Sequence, residues 1–138
     1  MPRSVSQKMG ISQGIRAHLV NAPDSAVRAL DLPEIEIETR LGGHFGYIHL
    51  FALSQQELDG SLPKLQGHLR EGGALWVSWP KGRKLGSDLN LREVIRIGYS
   101  HGLLESTTLA VDATWSAMKF ARPIRGKVYN NSHGQLPD

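Results

Sequence analysis

The chain has 138 residues, 40% of them hydrophobic, with 16 Lys and Arg against 13 Asp and Glu, a formal net charge of +3 and no cysteine. That length suits one domain able to bury about two-thirds of its unfolded surface, and the lack of cysteine excludes disulfides, thiolate zinc sites and cysteine nucleophiles. The positive charge is mostly scattered rather than gathered on the one face that a phosphate backbone needs, so nucleic acid is not an expected partner.

The opening "MPRSVSQKMGISQG" has no apolar stretch of signal-peptide length, and no segment approaches the roughly 20 apolar residues of a membrane span. The expectation is a cytoplasmic protein with no membrane contact. "RAHLVNAP" (16–23) reads as a first buried strand broken by Pro23. "DSAVRALD" follows as a short helix with Asp24 as N-cap and Val27 and Leu30 facing the sheet. "EIEIETR" (34–40) alternates strictly, Glu34, Glu36 and Glu38 on one side and Ile35 and Ile37 on the other, as a half-exposed edge strand does.

The near-continuous apolar run "FGYIHLFAL" (45–53) predicts a central parallel strand buried on both faces. Ser54 and Glu57 have capping-box spacing and open a helix in which Leu58, Leu62, Leu65 and Leu69 recur, with Gly60 and Pro63 predicted to break it in two. "EGG" (71–73) stops that helix and "ALWVSW" (74–79) is the next central strand. After the polar "PKGRKLGSD", Asn90 and Glu93 open a further helix with Leu91, Val94, Ile95 and Gly98 on one face. "LLESTTLAVDATWSAMKFAR" (103–122) holds two β-rich runs joined at "VDAT", too short for a crossover helix, so the two must pair antiparallel. The domain is expected to span 1–122, with 123–138 a loose polar tail that orders only on a partner.

Strands alternating with helices and ending in a hairpin resemble the order of class I methyltransferases with one strand–helix unit missing after the second strand. The resemblance implies an α/β three-layer sandwich with a mostly parallel six-stranded sheet of order 2-1-3-4-6-5, the sixth strand antiparallel, in a reduced Rossmann-like form. "KMGISQG", "HLVNAP", "LREGGALWVSWPKG", "LREVIRIGYSHGLLES" and "VDATWSAMKFAR" together resemble the small bacterial proteins of the domain-of-unknown-function 3052 family, over nearly all of residues 4–122. That resemblance implies the methyltransferase-like fold and carries no assigned activity.

S-adenosylmethionine requires a glycine-rich turn after the first strand, where a side-chain-free backbone lets the cofactor approach. "NAPDS" stands there instead, and Pro23 withholds an amide. No cofactor is therefore expected, although Glu38, at the end of the second strand, has the position of a ribose-binding acid. His18 and His49 lie on adjacent strands but no third residue is spaced to complete a metal site. Ser78 and Ser116 lack the G-x-S-x-G elbow of a hydrolase nucleophile. Lys81, Arg83 and Lys84, with Arg122, Arg125 and Lys127, form a basic group without an accompanying RNA-binding aromatic motif.

Ligands of open α/β sheets sit at the carboxyl ends of the parallel strands. Asn21, Trp79, Lys81, Asp112 and Trp115 converge on that rim and are the candidate ligand-binding residues, suited to a small polar or aromatic ligand or a protein partner. In the competing reading, Trp79 and Trp115 pack as a hydrophobic lid and Lys81 pairs with Asp112 as a surface salt bridge. Two functions stay open: a non-enzymatic binding or regulatory module, and a divergent enzyme, such as a methyltransferase, using the same rim.

Overall fold

A computed structural model describes residues 3–123. Its elements are α1 (Val5–Met9), β1 (Arg16–Val20), α2 (Asp24–Leu30), β2 (Glu36–Ile37), β3 (Phe45–Phe51), α3 (Gln55–Gln66), β4 (Leu69–Pro80), α4 (Leu91–Ser100), β5 (Leu104–Ala110) and β6 (Trp115–Ala121). The six strands form one sheet of order β2-β1-β3-β4-β6-β5. β1 to β4 run parallel, and β6 is antiparallel to both β4 and β5. The order and direction expected from the sequence are those observed. Of the tail expected over 123–138, residues 124–138 lie outside the described residues.

Helices cover both faces. Leu58, Leu62 and Leu65 of α3 and Val94 and Ile97 of α4 pack with Ile48, Leu50, Leu75, Val77, Trp79, Met118 and Phe120 on one face. On the other, Met9 of α1 and Ala26 and Leu30 of α2 pack with Ala17, Tyr47, Phe51, Trp76, Trp115 and Ala117. Both sets alternate along each strand, as the two-residue strand repeat requires. The seven residues of β3 are all buried, which is the physical meaning of its unbroken apolar run.

Several local expectations are corrected. Asp24 is the first residue of α2, and Pro23 takes the N-cap position without a side-chain cap. β2 is only two residues long, because the chain leaves the sheet edge at once, and Ile37 is exposed rather than facing the core. α3 runs unbroken through Pro63. The proline lies in the last turn on the exposed side, and the apolar face of Leu58, Leu62 and Leu65 holds the helix together across it. β4 begins at Leu69, but Leu69 pairs with Phe45 and Ala74 with Tyr47, so residues 70–73 bulge out where a helix stop was expected. Gly72, at φ 76°, takes the left-handed conformation that this excursion needs.

On α4, Val94 and Gly98 face the core as expected, together with Ile97, whereas Leu91 is exposed. α1 had no expectation at all. It is held by a full capping box between Ser4 and Gln7, and the Ser6 hydroxyl donates to the Asp31 carbonyl, tying it to the end of α2.

Candidate functional site

β1, β3 and β4 end at one edge of the sheet, and the turn between β5 and β6 returns to the same edge. Pro80, the last residue of β4, pairs with Trp115, the first of β6. The chain then enters a tight turn over residues 81–86, in which Gly82, Arg83 and Leu85 all lie near φ 60°. Bonds to the hairpin turn hold this segment. The Lys81 amide donates to Thr114 O at 2.8 Å, Lys81 Nζ to Asp112 O at 2.7 Å and Lys84 Nζ to Ala113 O at 3.0 Å. Pro80 ends the ladder because it has no amide to give, and the lysine after it clamps the neighbouring turn.

Asp112 plays a different part from either expectation. Its carboxylate accepts from the amides of Thr114 (2.9 Å) and Trp115 (2.8 Å), so it caps the hairpin turn, and Lys81 is bonded to its carbonyl, not its carboxylate. The expected surface salt bridge is replaced by two separate interactions at one residue.

Nor do the two indoles enclose Lys81. Trp79 pairs with Ser116, so Trp79 and Trp115 occupy successive rungs and project to opposite faces of the sheet. The single rim cleft expected from the sequence is two clefts. Asn21, Pro23, Phe51, Leu53, Glu57, Leu85 and Trp115 line one of about 360 Å³. Trp79, Lys81, Gly82, Arg83, Leu89, Asn90, Leu91, Thr108 and Ser116 line the other, of about 400 Å³. Among the five candidates, Asn21 and Trp115 are thus together, Trp79 and Lys81 are together, and Asp112 lines neither cleft and supports the turn between them.

In the first cleft, Asn21 follows β1 with φ 57°. Asparagine tolerates this conformation better than most residues, and it turns the chain sharply toward α2. Trp115 meets Phe51 edge to face, ring centroids 5.2 Å apart, and the pair forms an aromatic wall. Glu57 supplies the one charged side chain of the lining. Its backbone amide donates to Ser54 Oγ, the N-cap of α3, which sets Glu57 on the first turn of the helix.

Behind this wall lies a polar spine that the sequence reading did not identify. His49 is fully buried, with Nδ1 2.5 Å from the Tyr47 hydroxyl and Nε2 2.6 Å from Ser78 Oγ, and its ring stacks on Phe51 at 4.4 Å. Burial lowers the His49 pKa to about 3, so the ring is neutral, with one nitrogen donating and the other accepting. Burial likewise raises the pKa of Tyr47 and keeps its hydroxyl protonated. The available signal was parity: Tyr47, His49 and Phe51 share one face of β3, and Ser78 is the one polar residue in "ALWVSW". His18 points to the opposite face, tilted against the Phe45 ring with Nδ1 2.8 Å from Glu38 O, so the two histidines cannot share a ligand. No group of three metal-ligating side chains occurs among the described residues.

No family model and no curated protein sequence matches the chain. Solved structures do resemble it. A methyltransferase from Pyrococcus furiosus superposes with a TM-score of 0.61 at 13% identity, covering 87% of this chain and 81% of that one. Precorrin-6y C5,15-methyltransferase from Geobacter metallireducens gives 0.59 at 7% identity, with 86% of each chain covered. Magnesium protoporphyrin IX methyltransferase from Synechocystis, solved with SAM bound, gives 0.56 at 9% identity over 86% of this chain and 74% of that one. Identities this low speak to architecture alone. With the strand order and the antiparallel β6, they establish that the chain has a methyltransferase-like Rossmann fold.

Proposed function

We propose that the protein binds a small ligand in the Asn21 cleft, and that this ligand carries a flat apolar ring and a positive centre. The observation that carries the reading is the lining itself: Phe51, Trp115, Leu85 and the Pro23 ring offer apolar surface, Asn21 an amide, and Glu57 the one charge. An aromatic wall beside a carboxylate is suited to a ring-bearing cation, and the position at the carboxyl ends of β1 and β3 is where open α/β sheets bind ligands.

The residues do not fit S-adenosylmethionine in the customary manner. Asn21 reproduces the left-handed turn, but Pro23 puts a ring where a free amide would meet the cofactor. Glu38, the acid after β2, does not line the cleft. These replacements support a binding or regulatory module. The second reading is a divergent methyltransferase holding its cofactor differently, and the methyltransferase neighbours support it more directly than they support a binding role alone. The family resemblance of "LWVSWPKG" and "VDATWS", and a cytoplasmic location, belong to either reading. Among the described residues no helix is long and apolar enough to cross a membrane.

Titration of the full chain with tryptamine and, separately, with S-adenosylmethionine tests both. Saturable tryptamine binding that moves the Trp115 indole resonance and disappears in Glu57→Gln supports the ring-bearing cation. S-adenosylmethionine binding tighter than about 10 µM establishes the second reading in its place. If neither ligand binds, the assignment of this cleft fails.

A further inference from the structure

The second cleft has the opposite chemistry. Every polar side chain in its lining can donate a hydrogen bond: the Trp79 indole, the Lys81 ammonium, the Arg83 guanidinium, the Asn90 amide and the hydroxyls of Thr108 and Ser116, and no carboxylate is among them. Trp79, 5% exposed, lines this cleft. Its indole N–H is a further donor that a bound acceptor can take.

Register explains why these groups meet. Trp79 pairs with Ser116 across β4 and β6, and Thr108 pairs with Met118 across β6 and β5, which puts Trp79, Ser116 and Thr108 on one face of three adjacent strands. The turn over residues 81–86 closes one side. Lys81 Nζ spends one of its three donors on Asp112 O, and Arg83 sits at φ 60°, a conformation a bulky residue rarely adopts without compensation elsewhere. α4 closes the other side with Asn90 and Leu91. Leu91 is exposed there and, with Leu89 and the Trp79 ring, provides an apolar floor.

We propose that the Trp79 cleft is a second binding site, which takes a phosphomonoester carried on an apolar or aromatic group. Two cations and two hydroxyls, with no carboxylate in the lining, match a dianion with three acceptor oxygens better than a monovalent carboxylate. The leucines and the indole face receive the organic part. Asp112 links this site to the Asn21 cleft, since the turn it caps carries Trp115 on one face and is gripped by Lys81 on the other.

The test uses the full chain with phenyl phosphate, followed through backbone and indole amide resonances, and with inorganic phosphate, benzoate and phenol as comparisons. Saturable binding of phenyl phosphate is expected, with shifts at the Trp79 indole, residues 81–83 and Ser116 and none at Asn21. Benzoate, phenol and inorganic phosphate each bind about two- to fivefold more weakly or worse, the lower figures being the size of effect that one partly exposed charge contact gives. Arg83→Gln, at an exposed position, weakens phenyl phosphate by a similar factor. Lys81→Met does the same if it folds; Arg83→Gln decides the matter if it does not. The proposal is overturned if phenyl phosphate does not saturate, if its shifts lie elsewhere, if benzoate binds equally well, or if Arg83→Gln leaves binding unchanged.

Discussion

Gly98 of α4 rests directly against the ring of Phe120 on β6. A Cβ built at Gly98 would lie well inside van der Waals contact of that ring. In an ordinary helix interior, Gly→Ala stabilises by up to about 1 kcal/mol through propensity. Here the sign reverses. Gly98→Ala is expected to cost about 1–3 kcal/mol, because α4 must lift from the sheet or the ring must leave its rotamer. Urea denaturation measures this, and a more stable variant would mean that α4 packs elsewhere.

The Asp112 carboxylate accepts from two amides that have no other partner in the turn. Asp112→Ala should lower stability by about 1–2 kcal/mol, while Asp112→Asn, which keeps an acceptor oxygen in place, should cost less than about 1 kcal/mol. Equal losses in the two variants would show that charge, through Lys81, matters more than turn capping.

His49 makes stability depend on pH. Its pKa is about 3 in the fold, against 6.5 for the free side chain, so the unfolded chain takes up its proton first as pH falls. The stabilisation is complete above about pH 6.5 and is progressively lost as pH falls toward 3. Between pH 7.5 and 5 the loss attributable to this one group should be about 2 kcal/mol. The measurement is the difference in pH slope between native protein and His49→Gln. Identical slopes would show that His49 is solvated.

Leu85 stands at φ 57° and is 63% exposed on the rim of the Asn21 cleft. A glycine there relieves the backbone and gives up little packing, so Leu85→Gly should leave stability unchanged or raise it by up to about 1 kcal/mol. Tryptamine binding should weaken at the same time, because the cleft loses apolar lining. A stability loss above about 1 kcal/mol would show that the leucine packs where it is counted as exposed.

The sheet was legible because burial on two faces leaves a simple trace: "FGYIHLFAL" and "ALWVSW" admit few polar residues, and "VDAT" is too short for anything but a hairpin. What failed were features set by register and context. Whether Trp79 and Trp115 share a face depends on which residue of β6 meets which of β4, and a one-residue slip reverses the answer. Pro63 reads as a helix breaker in isolation, yet three buried leucines outweigh one missing hydrogen bond. The bulge at residues 70–73 reads as a stop, because a glycine pair ends a helix and bends a strand with equal ease. The two clefts depend on backbone near φ 60° at Asn21, Arg83 and Leu85; asparagine has some preference for that conformation, but no propensity places an arginine or a leucine there. The Tyr47, His49 and Ser78 spine needed only parity, once β3 and β4 were known to be neighbours.

The place of β6 between β4 and β5 also governs how the molecule is made on the ribosome. When β4 has left the exit tunnel, its partner on one side, β3, is already present, but its other edge waits for residues 115–121, the last strand of the sheet. Until then "LWVSW" is an apolar strand with an open row of amides and carbonyls, the kind of surface on which nascent chains aggregate. A chain cut before Trp115 is therefore expected to aggregate rather than to fold as a smaller domain.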